Sequence, residues 1–234
     1  MYYLDPFSDD FPLVRYAEPD GLLCVGGSLI PATLRKAYRL GIFPWFSEGY
    51  LVYWFAPPVR FILLPHELYI AKTMRQALRR TDFRITINYA FTEVMQGCAA
   101  APRRAQDGTW ITADFLAAYT QMHRLGWAHS VEVWQNDTLV GGLYGIVIGN
   151  IFSGESMFAT VSNASKAGFI TWVQWLAAAG ITLIDCQSET PHLASLGAKN
   201  ILRTHFTHLL AQNPDTPLFA SGVAEKRVLR EATG

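Results

Sequence analysis

The stretch that decides the fold runs from residue 129 to residue 187 and reads HSVEVWQNDTLVGGLYGIVIGNIFSGESMFATVSNASKAGFITWVQWLAAAGITLIDCQ. Its first half predicts three strands that are joined by the turns Asn136-Asp137 and Gly149-Asn150. A helix then runs to Ala179 and ends at Gly180. The predicted strands are 129–135, 139–148, 151–158 and, after the helix, 181–187. A meander followed by a helix and another strand predicts an α/β (α+β) fold with a mixed sheet and helices on both of its faces.

Outside this stretch, the chain divides at the pair Pro57-Pro58. Residues 1–60 are rich in proline, glycine and aromatic side chains and predict a small N-terminal α/β domain. Residues 61–234 alternate between helices and strands and predict a second domain. The further predicted elements are helices at 31–40, 67–80 and 112–125 and a strand at 83–88.

The composition excludes several classes of protein. Half of the 234 residues are hydrophobic and 16% are charged, against about 25% in ordinary globular chains, so most of the chain is not disordered. The cysteines Cys24, Cys98 and Cys186 form no C-x-x-C pair, which argues against a disulfide framework and a zinc knuckle. The start MYYLDPFSDDF has neither a basic nor an apolar signal region, so we expect a cytoplasmic protein without a membrane anchor.

The charges are balanced in number but not in position. The 19 basic and 19 acidic residues give a net charge of zero, which by itself argues against a nucleic-acid partner. Residues 60–104, however, carry eight basic and three acidic residues, and residues 105–195 carry two basic and seven acidic residues. The sum therefore hides a basic segment before the candidate site and an acidic segment around it.

Part of the basic segment is predicted to form one helical face. Lys72, Arg75 and Arg79 have the spacing of a shared face, and Arg80 follows directly. Such a face is either a solvated surface or a stripe that contacts phosphates, and basic charge alone does not decide between them.

Two polar residues end the apolar strand that closes the deciding stretch. Side chains alternate along a strand, so Asp185 and Gln187 should share a face about 6.6 Å apart, where a carboxylate can orient an amide. Cys186 should point away as a core thiol. Glu155 ends another apolar strand and must be paired, in contact with a ligand, or emerging into water. The histidines lack zinc-ligand spacing, and the glycines match no nucleotide or coenzyme A motif, so we expect neither a metal nor a cofactor.

Several motifs together match one family. The matching stretches are GLLCVGGSL (21–29), AYRLGIFPWF (37–46), GTWI (108–111), HSVEVW (129–134), LVGGLYG (139–145), GESMF (154–158), NASK (163–166), IDCQ (184–187) and SLGA (195–198). They occur in the family's order over roughly residues 15 to 205. On these motifs the chain resembles the bacterial leucyl/phenylalanyl-tRNA–protein transferase family.

The resemblance implies a small N-terminal domain joined to a GNAT-like acyltransferase domain with a largely antiparallel sheet. It implies transfer of Leu, Phe or Met from aminoacyl-tRNA to proteins that begin with Arg or Lys, which marks these proteins for N-end rule degradation. A tRNA ester as donor agrees with the lack of a coenzyme A motif. The family expectation is a monomer.

The resemblance also implies roles for individual residues. Asp185 would orient Gln187, which would contact the attacking amine. Trp45 and Trp110 would lie near the terminal adenosine, and Glu155 and Ser156 would bind the aminoacyl-adenosine end. The candidates for the side-chain pocket are Tyr144, Phe152, Met157 and Phe158. The basic face of Lys72, Arg75, Arg79 and Arg80 would contact the tRNA.

Some positions depart from the family pattern. Ser28 and Ile30 stand where the family usually has Asp and Ser, and the loss of a capping residue at position 30 should weaken the start of the helix by about 1 kcal/mol. WFAPPVR (54–60) replaces WWSPDPR, and Thr190 replaces an Asn that some relatives carry.

Two other functions stay open on the sequence. One is an N-acyltransferase that uses another acyl donor, against which the missing coenzyme A motif weighs. The other is a non-catalytic protein that binds tRNA or basic N-termini, against which the pair Asp185 and Gln187 weighs.

Overall fold

The computed structural model describes residues 2–45, 51–101 and 111–231. Four strands form a small N-terminal sheet in the order β1-β2-β4-β3, in which β1 and β2 are parallel and the other pairs are antiparallel. These strands are β1 (Tyr2–Leu4), β2 (Leu22–Gly26), β3 (Phe43–Trp45) and β4 (Tyr53–Phe55).

Eight strands form the large sheet, in the order β11-β5-β10-β9-β8-β7-β6-β12. Among the described pairings of this sheet, only that of β9 with β10 is parallel, because a helix connects these two strands. The strands are β5 (Val59–Leu63), β6 (Arg84–Ile87), β7 (Ala128–Gln135), β8 (Thr138–Ile148), β9 (Ile151–Ala159), β10 (Leu183–Gln187), β11 (Lys199–Leu202) and β12 (Arg227–Arg230).

Helices cover both faces of the large sheet. Neighbouring residues of a strand point to opposite faces, and in β8 the Cα of Gly141 faces Ala164 whereas that of Gly142 faces Val94. The helices are α1 (Pro31–Arg39), α2 (Lys72–Arg80), α3 (Phe91–Ala100), α4 (Ala113–Arg124), α5 (Ala164–Ala178), α6 (Pro191–Ala194) and α7 (Arg203–Ala211). Helices α3 and α5 therefore lie on opposite faces. No helix in the described part of the chain is long and apolar enough to cross a membrane.

The predicted fold class is confirmed: the protein has a mixed, largely antiparallel sheet flanked by helices. One predicted helix is wrong in its first turns, since residues 65–67 form a separate 3-10 turn and α2 begins only at Lys72. The side chain of Thr112 caps α4 as expected, whereas Ile30 provides no such bond for α1. Asn163 precedes α5 but has a left-handed backbone and makes no side-chain cap.

The N-terminal sheet shares a core with helices of the second predicted domain. Trp54 and Leu34 belong to the same buried cluster as Val94 of α3 and Tyr119 of α4. Strand β5 starts at Val59 and joins the large sheet. Neither observation tests a boundary at residue 60, which stays a prediction.

A β-bulge lies where β8 and β9 approach the site. The ladder pairs Tyr144 with Ser156 and then Gly145 with Gly154, so Glu155 is an extra residue on β9. A Cβ atom on Gly145 would lie 2.2 Å from the carbonyl oxygen of Ser153 and 2.6 Å from the Phe152 ring. Only glycine fits this close approach.

Replacing Gly145 by alanine should therefore lower the free energy of unfolding by about 1–3 kcal/mol, because the added methyl group overpacks the two strands. Gly154→Ala is the matched control, since its Cβ would meet nothing nearer than 3.6 Å. Urea unfolding of both variants measures the difference. Equal losses in the two variants would contradict the close approach as the cause.

Candidate active site

A cavity of about 260 Å³ opens between the N-terminal sheet, the middle of β9 and the end of β10. Glu155 therefore lies within β9 and not at its end, where the sequence pattern placed it. The cavity brings together most of the residues that the sequence singled out as candidates for catalysis and substrate binding. The predicted site residues that line it are Trp45, Tyr144, Phe152, Glu155, Ser156, Met157, Asp185 and Gln187. Trp110, the other aromatic residue predicted near the terminal adenosine, lies outside the described residues.

Two β-bulges aim the polar side chains at this cavity. Glu155 is the extra residue of the bulge in β9. In β10, Asp185 pairs with Ile62 and Gln187 pairs with Phe61, so Cys186 is an extra residue there. Gln187 has a φ of 61°, which lies in the left-handed region. Each bulge locally shifts the alternation of side chains and turns a polar residue toward the cavity.

Asp185 is fully buried and forms an ion pair with Arg60, whose exposed fraction is 2%. Arg60 Nε donates to Oδ1 at 2.8 Å, and Nη2 donates to Oδ2 at 2.6 Å. The Ser153 hydroxyl donates to Oδ2 at 3.4 Å. Parallel hydrogen bonds from an arginine fix both the position and the plane of a carboxylate.

Gln187 is held at both its backbone and its side chain. Its backbone N–H donates to Asp185 Oδ1 at 2.9 Å, and its side-chain Nε2 donates to Glu155 Oε1 at 2.8 Å. The strand pattern predicts that the Asp185 carboxylate orients the Gln187 amide directly. The described contacts correct this expectation, because Asp185 binds the main chain and Glu155 binds the amide.

Glu155 continues a hydrogen-bonded chain away from the cavity. The hydroxyl of Tyr119, in α4, donates to Glu155 Oε2 at 3.2 Å, and it is itself hydrogen-bonded to the hydroxyl of Tyr38, in α1. Burial raises the pKa of the Glu155 carboxyl to about 7, and the negative charge of Asp185 adds to this rise. The hydrogen bonds from Tyr38 and Tyr119 and the positive charge of Arg60 oppose it.

Of the four candidates for the side-chain pocket, three contribute to its apolar wall. Tyr144, Phe152 and Met157 line the cavity. Phe158 does not, since its ring lies under Gly97 of α3. Cys186 borders the cavity as well as the core, so the expectation that it points away is only partly met; burial raises the pKa of its thiol. Thr190 caps α6 and lies at the cavity wall.

The predicted basic face is present on α2. Lys72, Arg75, Arg79 and Arg80 are all exposed, and α2 has no buried residue. The Arg75 guanidinium donates to the carbonyl of Ile70 at 2.9 Å. Among the described residues, none of these four side chains forms an ion pair with an acid, so their charges face solvent.

The acidic segment does not gather in the cavity as its charge count indicated. Of its described acids, only Glu155 and Asp185 line the cavity, and Arg60 neutralises Asp185. Glu132 is buried elsewhere, where it accepts hydrogen bonds from Ser130 and Thr86. Asp137 lies in an exposed turn.

Sequence reasoning missed Arg60, Tyr38 and Tyr119 as parts of the site. A signal for Arg60 existed. This residue directly precedes the apolar run FILL, where an arginine needs a buried partner, and Asp185 lies at the end of another apolar strand. The tyrosines gave no such signal, since buried aromatic residues in helices are usual. In the described part of the chain, no group of three or more His, Cys, Asp or Glu side chains could hold a metal ion.

Comparison with known families matches two models along the chain. The model described as leucyl/phenylalanyl-tRNA protein transferase matches residues 62–211, and the model of that family's N-terminal domain matches residues 27–58. A GCN5-related N-acetyltransferase from Kribbella flavida covers 72% of this chain and 60% of its own, with 11% identity and a TM-score of 0.38.

Curated relatives extend the match over most of the chain. The leucyl/phenylalanyl-tRNA–protein transferase of Stutzerimonas stutzeri is 50% identical over 88% of this chain and 92% of its own. That of Pseudomonas syringae pv. syringae is 46% identical over 97% of this chain and 99% of its own. With this identity, the two family models and the assembled cavity, the chain belongs to the leucyl/phenylalanyl-tRNA–protein transferase family and is an aminoacyltransferase.

Proposed function

We propose that this enzyme transfers Leu, Phe or Met from aminoacyl-tRNA to the α-amino group of proteins that begin with Arg or Lys, which marks these proteins for N-end rule degradation. The observation that carries the proposal is the meeting of the Gln187 and Glu155 side chains at the wall of one largely apolar cavity. Family membership supports the donor class.

The proposed transfer requires mainly that the enzyme position its two substrates. The ester of an aminoacyl-tRNA is already activated, and an α-amine with its ordinary pKa of about 7.7–8.0 is partly neutral at cellular pH. Holding the amine and the ester in the attacking geometry can supply a large share of the rate. The site therefore needs to orient the two reactants and to accept hydrogen bonds from the amine.

Gln187 is the residue that we assign to the amine. A carboxylate only accepts hydrogen bonds, so the Gln187 amide must turn its nitrogen toward Glu155. Its carbonyl oxygen is then left to accept an N–H of the attacking amine. An amide is a poor base, so Gln187 orients the amine and does not remove its proton. Asp185 acts through the Gln187 backbone.

The apolar wall suits a side chain of the size of Leu, Phe or Met. Phe152 is buried and borders the cavity together with Met157 and Tyr144. One methylene group in such a pocket changes binding by about 1–3 kcal/mol, so the pocket should reject Ala well and separate Leu from Met poorly. Trp45 is 40% exposed at the cavity edge and offers a surface on which the terminal adenine can stack.

The tRNA body would contact the basic face of α2. Its four exposed cations face solvent without acidic partners among the described residues, as phosphate contacts require. The proposal takes the enzyme to act as a monomer, as the family resemblance implies. The use of aminoacyl-tRNA supports a cytoplasmic location, and the transfer as proposed needs no cofactor.

A transfer assay tests the proposed function. Labelled leucyl-tRNA and a peptide with N-terminal Arg should give a labelled peptide, whereas the same peptide with an acetylated N-terminus should give none. Acetyl-CoA should not serve as a donor. A product from acetyl-CoA would favour an N-acyltransferase of another class, and tRNA binding without a product would favour a non-catalytic protein.

The titration of Glu155 should appear in the rate. Above about pH 7 its carboxyl is ionised and accepts from the Gln187 amide; below that pH it is protonated and can donate instead, which lets the amide turn over. We expect the single-turnover rate at saturating peptide to fall as the pH is lowered through about 7.

Glu155→Gln is the control, because it keeps a carbonyl acceptor for Gln187 and removes the titration. The acceptor amine titrates in both enzymes, so the difference between the two profiles isolates Glu155. Identical pH profiles for the wild-type enzyme and Glu155→Gln would contradict this role of Glu155.

The salt dependence of tRNA binding should report on the basic face. Replacing Lys72 and Arg79 by glutamine should reduce the slope of log K against log salt concentration by about two, because two phosphate contacts are lost. Replacing Arg15 and Arg124, two exposed cations outside α2, is the matched control. An equal reduction in both double variants would contradict the assignment.

A further inference from the structure

Arg60 is the second residue of strand β5, and its side chain is only 2% exposed. Besides its two hydrogen bonds to Asp185, Nη1 donates to the carbonyl of Gly41 at 3.1 Å. The rings of Phe43 and Phe206 lie 4.7 and 4.8 Å from its guanidinium carbon. The guanidinium therefore contacts the N-terminal sheet region, helix α7 and the end of β10 at once.

Stability alone is a weak reason for this pair. Removing two charges from water is costly, and apolar replacements of buried ion pairs are often neutral or stabilising. What the pair provides here is geometry. The guanidinium binds both oxygens of Asp185, and Oδ1 also accepts the backbone N–H of Gln187 at 2.9 Å. A lysine ammonium is a point charge and would not fix the carboxylate plane in this way.

The backbone conformation of Gln187 needs a contact that fixes it. Its φ of 61° is rare for a residue other than glycine, and such a conformation persists only where the surrounding contacts determine it. The hydrogen bond from its N–H to the fixed Asp185 carboxylate is a contact that determines it. The direction of the Gln187 amide thus depends on the orientation of Asp185, which depends on Arg60.

We propose that Arg60 is a positioning residue of the transfer reaction, which fixes Asp185 so that the bulged end of β10 presents the Gln187 amide to the attacking amine. Its bond to the Gly41 carbonyl ties this arrangement to strand β3, which carries Trp45 at the cavity edge. The inference rests on the proposed function, since it takes Gln187 as the residue that contacts the amine.

Arg60 has a second, electrostatic effect in the same place. Glu155 and Asp185 are neighbouring carboxylates, and the groups that face Glu155 also include the hydroxyls of Tyr38 and Tyr119. The positive charge of Arg60 lowers the pKa of Glu155, so without the cation Glu155 should ionise at higher pH. A residue that only stabilised the fold would not shift this ionisation.

The test measures kcat, the KM for leucyl-tRNA and the pH profile of transfer to an N-terminal Arg peptide. For Arg60→Met we expect kcat to fall about 10²-fold, as misplacement of a catalytic group can cause, with little change in KM. The acid limb of the profile, which is the pH range over which kcat falls as the pH is lowered, should move to higher pH by about one unit. Arg203→Met is the matched control, because Arg203 donates to the backbone carbonyl of Ala56 and has no described contact with Asp185.

Further variants separate charge from geometry. Arg60→Lys keeps the cation, so the acid limb should stay in place while kcat falls. Asp185→Asn removes an anion, so the acid limb should move to lower pH. The double variant Arg60→Met/Asp185→Asn removes both charges and should bring the limb back toward its original position. Thermal melts of each variant identify loss of folding.

The outcomes are distinct. Arg60→Met with the kcat and pH profile of Arg203→Met would overturn the inference. If Arg60→Met does not fold, Arg60→Lys decides, and an unchanged kcat in Arg60→Lys would overturn it. Wild-type protein that gives no labelled peptide would instead overturn the proposed function, and the inference with it.

Discussion

The buried ion pair between Arg60 and Asp185 is the interaction on which the rest of the site depends. Two charged side chains with almost no exposure need partners inside the protein, and here two parallel hydrogen bonds join the guanidinium to the carboxylate. Because Arg60 also binds the Gly41 carbonyl, the pair joins the large sheet to the segment between α1 and β3. The cavity lies beside this junction, so its two walls keep one relative position.

Much of the fold could be predicted from the pattern of the sequence. Alternation and turn residues predict the meander of β7, β8 and β9. A glycine stop predicts the end of helix α5, and the apolar run that follows predicts strand β10. Thr112 likewise marks the start of α4 through its side-chain cap. The bulges could not be predicted, because alternation assumes one residue per ladder position. An extra residue at Glu155 and another at Cys186 shift that count where the polar side chains lie.

A count of charges along the sequence predicted the surroundings of the cavity less well than the strand pattern predicted the fold. The acidic surplus of residues 105–195 indicated a negative pocket, yet its members are scattered over a turn, a buried network and the cavity. The cation that contacts Asp185 comes from the basic segment, because Arg60 lies on β5, which pairs directly with β10. A sum over a segment contains no information on which strands become neighbours. The exposed face of α2 was predictable because it depends on local helical spacing alone.

The position of β5 between β10 and β11 has a consequence for how the protein is made. Arg60 and Asp185 are 125 residues apart in the chain, which at bacterial and eukaryotic rates of translation corresponds to an interval on the order of ten seconds. During that interval β5 has been synthesised but its partner strands have not, and its apolar side chains and strand edges are exposed. Such long-range pairing slows folding and increases the risk of aggregation. Until the second half of the sheet has emerged, the nascent chain therefore exposes an apolar strand whose edges can pair with other chains.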